Sequence, residues 1–420
     1  MDKLIIEGGR RLKGEVAISG SKNALLPILA ATLLTDEPCC IRGAPKLRDT
    51  YTMIRILRSL GKAADFKNGE VWVKSTNQIN TVADYKFVST MRASFCVLGP
   101  LLARFRKAKV SLPGGCVIGL RPVDLHLKGM KALGADIDID RGYVVANAAR
   151  LSGTHMYLGG AFGSSVLATA NVMMAAVKAK GVTKIESAAC EPEICDLAKF
   201  LISMGAKIKG YGTPLIEIHG VRSLHGTDYK IIPDRIEAGT FMIAALITHG
   251  EIKLTNVVWQ HLAAVIDKLE QIGAKISKTE TTLKLRLSRR LRPSNITTLS
   301  YPGFPTDMQA QVMSLMSLVK GVSVITEKVY PDRFMHIAEL NRMGAHIQRQ
   351  GPHAIIEGVR QLCGASVMAS DLRASASLVL AGLAAKGQTA VSRIYHLERG
   401  YDKLDEKLRQ LGAGLWREKE

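Results

Sequence analysis

Aromatic side chains are scarce in this sequence: 5% of 420 residues, with three tryptophans. A surface that works by stacking nucleic-acid bases needs such rings in number, so no nucleic-acid partner of that kind is expected. Cysteine is scarce as well, with seven residues and no Cys-x-x-Cys pair. Cys190 and Cys195 have no histidine pair nearby. Neither a disulfide framework nor a zinc site is indicated. Reduced thiols in a cytosol are the plain expectation, with no metal and no cofactor. Long apolar runs are missing too. The longest, such as ALLPILAATLL, fall short of the roughly 18 residues that a membrane span requires. The start, MDKLIIEGGRR, sets no apolar run beside its basic residues, as a signal peptide would. A soluble cytoplasmic protein with no membrane partner is the expectation. Acidic residues are outnumbered, 37 against 57 Lys and Arg, giving a formal charge of +20. That balance suits nucleic acid, an anionic membrane or anionic small substrates, and equally a solvated basic surface. Basic residues gather at 103–109 and 285–293.

What the sequence has in plenty is repetition. RSLGKAA, KALGADI, ISMGAKI, EQIGAKI, NRMGAHI and RQLGAGL recur with their glycines at 61, 134, 205, 273, 344 and 412, gaps of 73, 71, 68, 71 and 68. Each phrase reads as a helix end, with Gly in the left-handed position after the last turn and an apolar strand starting next. About twenty residues upstream of each lies a short β-rich run: EPCCIRG, KAKVSLPG, GVTKIES, GEIKLTN, GVSVITE and GQTAVSR. Before each run lies an apolar helix, such as ALLPILAATLL or FMIAALITH, whose composition predicts burial on all sides. The unit is helix, strand, helix, strand, strand. Six such α/β units make a pseudo-symmetric protein. The N-terminal runs KLIIEGG and GEVAISG match the strand pair that closes the other units, so they are expected to pair with the C-terminal half.

The loops that lead into the apolar helices are polar: SGSKNA, STMRAS, GGAFGSS, PDRIEAG, PGFPTDM and ASDLRAS. Free N–H groups at a helix start favour anions, and Lys22, Arg92 and Arg373 add positive charge there. Capping by Ser and Asp explains the same loops one at a time. Asp307 reads either as such a cap or as a carboxylate that orients or deprotonates a hydroxyl. Cys116 follows Gly114 and Gly115, and Arg121 lies five residues on. A cation lowers a thiol's pKa, so Cys116 reads as a nucleophile or proton donor, or else as an ordinary packed cysteine. The other six cysteines are expected to be packed.

Seven stretches together resemble one family: SGSKNA (19–24), PGGCVIGLRPVDLH (113–126), EPEICD (191–196), PDRIEAGTF (233–241), FPTDMQAQ (304–311), DLRASASL (371–378) and RIYHLERGYD (393–402). The chain is similar, over nearly its whole length, to the UDP-N-acetylglucosamine 1-carboxyvinyltransferases, the enolpyruvyl transferases that begin peptidoglycan precursor synthesis. The resemblance implies an inside-out α/β barrel of two three-unit domains, 22–232 and 1–21 with 233–420. Their cleft would hold the active site, and the cysteine loop would be its lid. It implies transfer of the enolpyruvyl group of phosphoenolpyruvate to the 3′-hydroxyl of UDP-N-acetylglucosamine, with release of phosphate.

By the same resemblance Cys116 is the general acid, can form a covalent adduct with phosphoenolpyruvate, and is the point attacked by fosfomycin-type epoxides. Asp307 is the base or the hydroxyl-orienting carboxylate. Lys22, Arg121 and Arg399 hold phosphate and carboxylate, with Asn23 beside them. Arg92, Arg121, Pro122, Val123, Asp124, Leu125, Ser165, Val166 and Val329 hold the nucleotide sugar, and Arg373 joins the substrate-binding set. The chain departs from the family at Leu167, commonly Gly, and at Gly163, a Lys in some members; both touch the nucleotide loop. Two other readings are a shikimate 3-phosphate enolpyruvyl transferase, against which the cysteine loop argues, and an RNA-binding or RNA-end-processing protein on a related barrel.

Overall fold

The computed structural model describes residues 2–76, 78–114, 123–288 and 290–419. The described residues form two compact units, one running from Gly20 to Ile232, the other combining the start of the chain through Ser19 with Pro233 onward. Each unit has its own apolar core. Together they are a mixed α/β fold.

Among the described residues there are six four-stranded sheets and one two-stranded ribbon. All six sheets share one pairing pattern: a parallel edge pair, then two antiparallel pairs. In the Gly20–Ile232 unit the orders are Asp228–Lys230, Cys39–Arg42, Glu70–Ser75, Lys62–Lys67; Val82–Ala83, Lys107–Ser111, Tyr143–Asn147, Asp136–Asp140; and His155–Tyr157, Val182–Glu186, Leu215–His219, Lys207–Lys209. In the other unit they are Lys13–Ala17, Glu251–Thr255, Thr282–Leu287, Ala274–Lys278; Ile296–Thr298, Val322–Glu327, His353–Glu357, His346–Gln350; and Ser366–Met368, Gln388–Ser392, Asp2–Glu7, Gly414–Lys419. The N-terminal strands are thus paired with strands beyond residue 250, and Asp2–Glu7 lies between two C-terminal ones.

The six repeated glycines end the amphipathic helices. All have φ between +90° and +134°, a region that side chains with a Cβ avoid. At Gly344, for example, the glycine N–H bonds Asn341 O and the next N–H, of Ala345, reaches back to Leu340 O, closing the helix. The apolar helices are Lys22–Ala31, Leu98–Phe105, Val166–Ala176, Arg235–Ile247, Gln309–Met316 and Leu372–Ala384. Nearly every side chain on them is buried, Leu25, Ile28 and Leu29 completely; each such burial is worth about 2 kcal/mol. Within each unit three of them pack together. Among the described residues no helix is long and apolar enough to cross a membrane.

Arg104 donates to the carbonyls of Leu33 and Thr35, both at 3.0 Å, and pairs with Asp36. In the second basic run, 285–293, Leu285 is buried on the inner face of its strand while Arg286 faces solvent.

Candidate functional site

The two units hold separate sets of the candidate residues. In the Pro233-onward unit the centre is Asp307, in a single 3₁₀ turn, Thr306–Met308, that precedes the Gln309–Met316 helix. Its side chain makes no capping hydrogen bond, so the helix-cap reading does not describe it. Instead Oδ1 accepts from Arg333 Nη1 at 2.8 Å and Oδ2 from Arg373 Nη2 at 2.9 Å. Both arginines are buried, while the Asp307 side chain is 27% exposed. Burial pushes the Asp307 carboxyl upward, but Arg373 and Arg333 outweigh it and hold it well below the usual carboxylate range. Burial likewise works against both guanidinium charges and Asp307 overrides it, so both arginines titrate above their ordinary value. The three form a fixed ionic cluster with one carboxylate edge toward solvent.

Local sequence explains how this turn is held. Gln311 Nε2 donates to the Asp307 carbonyl at 2.9 Å and to Tyr401 Oη at 3.1 Å, and Gln309 Nε2 donates to the Arg333 carbonyl at 3.3 Å. Both glutamines are buried in an otherwise apolar helix. Gly239 lets the Arg235–Ile247 helix come close: a Cβ there would meet Met308 Cε at 2.8 Å. Arg373 opens the Leu372–Ala384 helix, capped by Asp371, whose Oδ1 accepts from Arg373 N and Ala374 N. The Tyr401 ring lies 5.2 Å from the Arg373 guanidinium. Arg373 Nε and Nη1 are buried with no hydrogen-bond partner among the described residues. Arg399 ends the Ile394–Arg399 turn and is half-buried. Its turn packs on the start of the Leu372–Ala384 helix, so close that a Cβ at Gly400 would lie 2.4 Å from Leu372 Cδ1. Val329 is held by its backbone N–H, 2.8 Å from Glu327 Oε1.

In the Gly20–Ile232 unit Lys22 opens its helix behind the cap Ser21, whose hydroxyl accepts from Ala24 N. Lys22 is 7% exposed and its Nζ lies 3.3 Å from Asp49 Oδ2. Pro27 has no N–H to give the carbonyl of Asn23 four residues back. Arg92 starts the short helix Arg92–Val97, and Asp124 and Leu125 start the helix Asp124–Ala132 after Val123. Ser165 caps the Val166–Ala176 helix by accepting from Ala168 N at 3.3 Å. Leu167 sits in that regular first turn, half-buried against the core; no glycine-like conformation is needed there. Gly163, at φ +88°, belongs to the Gly159–Gly160 and Gly163–Ser164 ribbon, which lies against Leu125.

One buried amide links these elements. Asn171 Nδ2 donates to the Phe95 carbonyl and lies 3.0 Å from His126 Nδ1, while its Oδ1 accepts from Gly99 N at 2.6 Å. Burial first, then Arg92, pushes His126 down to about 3, so the ring is neutral and Nδ1 accepts. Arg92, Val123 to Leu125 and Ser165 with Val166 therefore stand at the starts of three segments tied by Asn171. Asn171, Asp49, Arg333, Gln309 and Gln311 escaped the sequence reading. Gln309 and Gln311 had a signal, since two amides in an apolar helix must find partners.

Cys116, Arg121 and Pro122 lie outside the described residues. Of the other cysteines Cys39, Cys40 and Cys96 are buried, and burial raises the Cys96 thiol to about 12. Cys363 corrects the expectation of packing: it is exposed, because it sits in the loop before the Ser366–Met368 edge strand. Among the described residues no three His, Cys, Asp or Glu side chains are grouped to hold a metal ion.

A family model, EPSP synthase (3-phosphoshikimate 1-carboxyvinyltransferase), matches residues 6–408, which places the chain among enolpyruvyl transferases. Among solved structures, an enolpyruvyl transferase, NikO, from Streptomyces tendae superposes with a TM-score of 0.90 at 26% identity, covering 99% of this chain and 98% of that one. An EPSP synthase from Acinetobacter baumannii shares the fold, with a TM-score of 0.77 at 19% identity and full coverage of both chains. Curated relatives are closer in sequence. The UDP-N-acetylglucosamine 1-carboxyvinyltransferase of Methylacidiphilum infernorum is 53% identical over 417 residues, 99% of either chain. A second, from Carboxydothermus hydrogenoformans, is 54% identical over 419 residues, again 99% of either chain. The chain belongs to the EPSP synthase family and, within it, to the UDP-N-acetylglucosamine 1-carboxyvinyltransferases. It is a transferase.

Proposed function

We propose that this protein transfers the enolpyruvyl group of phosphoenolpyruvate to the 3′-hydroxyl of UDP-N-acetylglucosamine and releases phosphate, the first committed step of peptidoglycan precursor synthesis in the cytoplasm. The observation that carries the reading is the match of more than half of all residues, end to end, to relatives of that name. Each three-sheet unit is read as an inside-out barrel about its three apolar helices. The units are read as 22–232 and 1–21 with 233–420.

Addition needs a proton on the methylene carbon of phosphoenolpyruvate and loss of one from the sugar hydroxyl as its oxygen bonds the central carbon. Cys116 supplies the first proton; alternatively its thiol adds across the double bond, sulfur bonding the central carbon while a proton goes to the methylene carbon. Asp307, kept ionised by Arg333 and Arg373, is a weak base in the resting site. Its first task is therefore to accept the hydroxyl's hydrogen bond and aim the oxygen. The hydroxyl becomes acidic only as its oxygen bonds carbon, and Asp307 takes the proton then. Elimination returns the methylene proton and breaks the carbon–phosphate oxygen bond. Lys22, Arg121, Arg373 and Arg399 meet the phosphate and carboxylate charge, fixed cations being most effective where charge shifts in the transition state. Asn23 stands beside these cations, and Arg92, Val123 to Leu125, Ser165, Val166 and Val329, with Arg121 and Pro122, hold the nucleotide sugar.

The test is phosphate release from phosphoenolpyruvate by purified protein, with and without UDP-N-acetylglucosamine, and with shikimate 3-phosphate as a second acceptor. Release only with the nucleotide sugar is expected. Release with shikimate 3-phosphate alone, or none with either, overturns the reading.

A further inference from the structure

We propose that Glu327 is a positioning residue for this reaction, acting through Thr306 and Arg333 on Asp307 and through the backbone on Val329; the inference rests on the proposed function. Glu327 ends the Val322–Glu327 strand and is completely buried. Its Oε1 accepts from Thr298 Oγ1 at 2.6 Å, Val329 N at 2.8 Å and Tyr330 N at 2.9 Å. Its Oε2 accepts from Thr306 Oγ1 at 2.9 Å.

The direction of these bonds is fixed. Backbone N–H groups only donate. Thr298 Oγ1 already accepts from Lys328 N at 3.1 Å, and Thr306 Oγ1 from Arg333 Nη1 at 3.1 Å, so both hydroxyl protons point to Glu327. Four donors converge on one side chain, which only a carboxylate can satisfy. Arg333 Nη1 is shared between Thr306 Oγ1 and Asp307 Oδ1. A directional chain therefore runs from Arg333 through Thr306 to Glu327, and it sets where the guanidinium stands when it grips Asp307. The same carboxylate fixes the loop that carries Val329, proposed to meet the nucleotide sugar. No arginine or lysine among the described residues pairs with Glu327.

Glu327→Gln keeps the shape. Its carbonyl can take the three Oε1 bonds, but its amide then donates to Thr306 Oγ1, and the hydroxyl proton loses its acceptor. Thr306→Val removes both links of the chain, to Arg333 and to Glu327, and leaves the other three bonds of Glu327 in place. Thr306→Ser keeps it. The charged and titratable groups around Asp307 are Arg333 and Arg373, with Asp371, Asp234, Tyr401 and His336 behind them.

The experiment measures kcat and both KM values against pH, with thermal midpoints, for wild type, Glu327→Gln, Thr306→Val and Thr306→Ser. Glu327→Gln and Thr306→Val are expected to lower kcat by about 10²-fold, the scale of a small misplacement of a reacting group. Their acid limb of kcat is expected to move upward as Arg333 loosens its hold on Asp307, and Thr306→Ser should stay near wild type. A structural role alone would lower the midpoint and leave the acid limb in place. Thr306→Val with wild-type kcat and an unmoved limb overturns the inference, and it decides the matter if Glu327→Gln does not fold. A wild type that releases no sugar-dependent phosphate removes the proposed function, and this inference with it.

Discussion

At the scale of single residues, the Asp307 cluster shows what spacing in a sequence leaves hidden. The motif FPTDMQAQ made Asp307 a candidate, and its residue type allowed either a cap or a base. Its partners lie 26 and 66 residues away, and only tertiary folding decides which cations arrive. Arg333, in an unremarkable loop, had no periodic pattern to mark it. Asp307→Asn leaves two buried arginines without their counter-charge. Turnover should fall, and stability should drop by about 3 kcal/mol or more at neutral pH, because an unpaired buried charge is costly. The pH dependence has a definite sign. The folded carboxyl sits below its unfolded value, so the stabilisation is complete above about pH 4 and is lost as pH falls through the folded value. Urea unfolding of wild type and variant should show a gap that narrows only under acid conditions. A constant gap down to about pH 2 would contradict the ionic account.

Elements were far more legible. Helix ends, strand starts and the six-fold phrase follow from local rules, and the glycines with positive φ are where the phrase placed them. Four of the six polar loops before the apolar helices proved to be caps, at Ser21, Ser165, Asp234 and Asp371; the loops at Arg92 and Asp307 are the exceptions, each with a 3₁₀ segment between it and its helix. Two glycines of the repeat separate conformational strain from crowding. A Cβ at Gly344 meets nothing within 4 Å, whereas at Gly61 it would lie 1.9 Å from Gln78 O. Gly344→Ala should cost roughly 1–2 kcal/mol, the penalty of a left-handed residue. Gly61→Ala should cost distinctly more, since backbone must also move. Chemical denaturation of the two variants gives the comparison, and equal losses would refute it.

For the whole molecule, the recurrence of one sheet pattern six times was readable because each repeat repeats its local signals. The partners of the N-terminal strands were readable only because those strands matched the missing members of later units. Gly414–Lys419 covers one side of Asp2–Glu7, and Leu415 is 4% exposed. Ending the chain after Ala413 strips that side and turns a central strand into an edge. A lower urea midpoint is expected, together with light scattering from self-association, because bare edges recruit other chains. A truncated protein with the full-length midpoint would show that the strand is dispensable.

The sandwiching of Asp2–Glu7 between Gln388–Ser392 and Gly414–Lys419 has a consequence during translation. Asp2–Glu7 is made long before either of its neighbours. At about 5–20 residues per second, the nascent chain carries that strand unpaired for roughly 20–80 s while everything between is made. The Gly20–Ile232 unit draws no strand from the chain ends, so its sheets have all their strands well before release. The other unit completes its last sheet only once Gly414–Lys419 has been made.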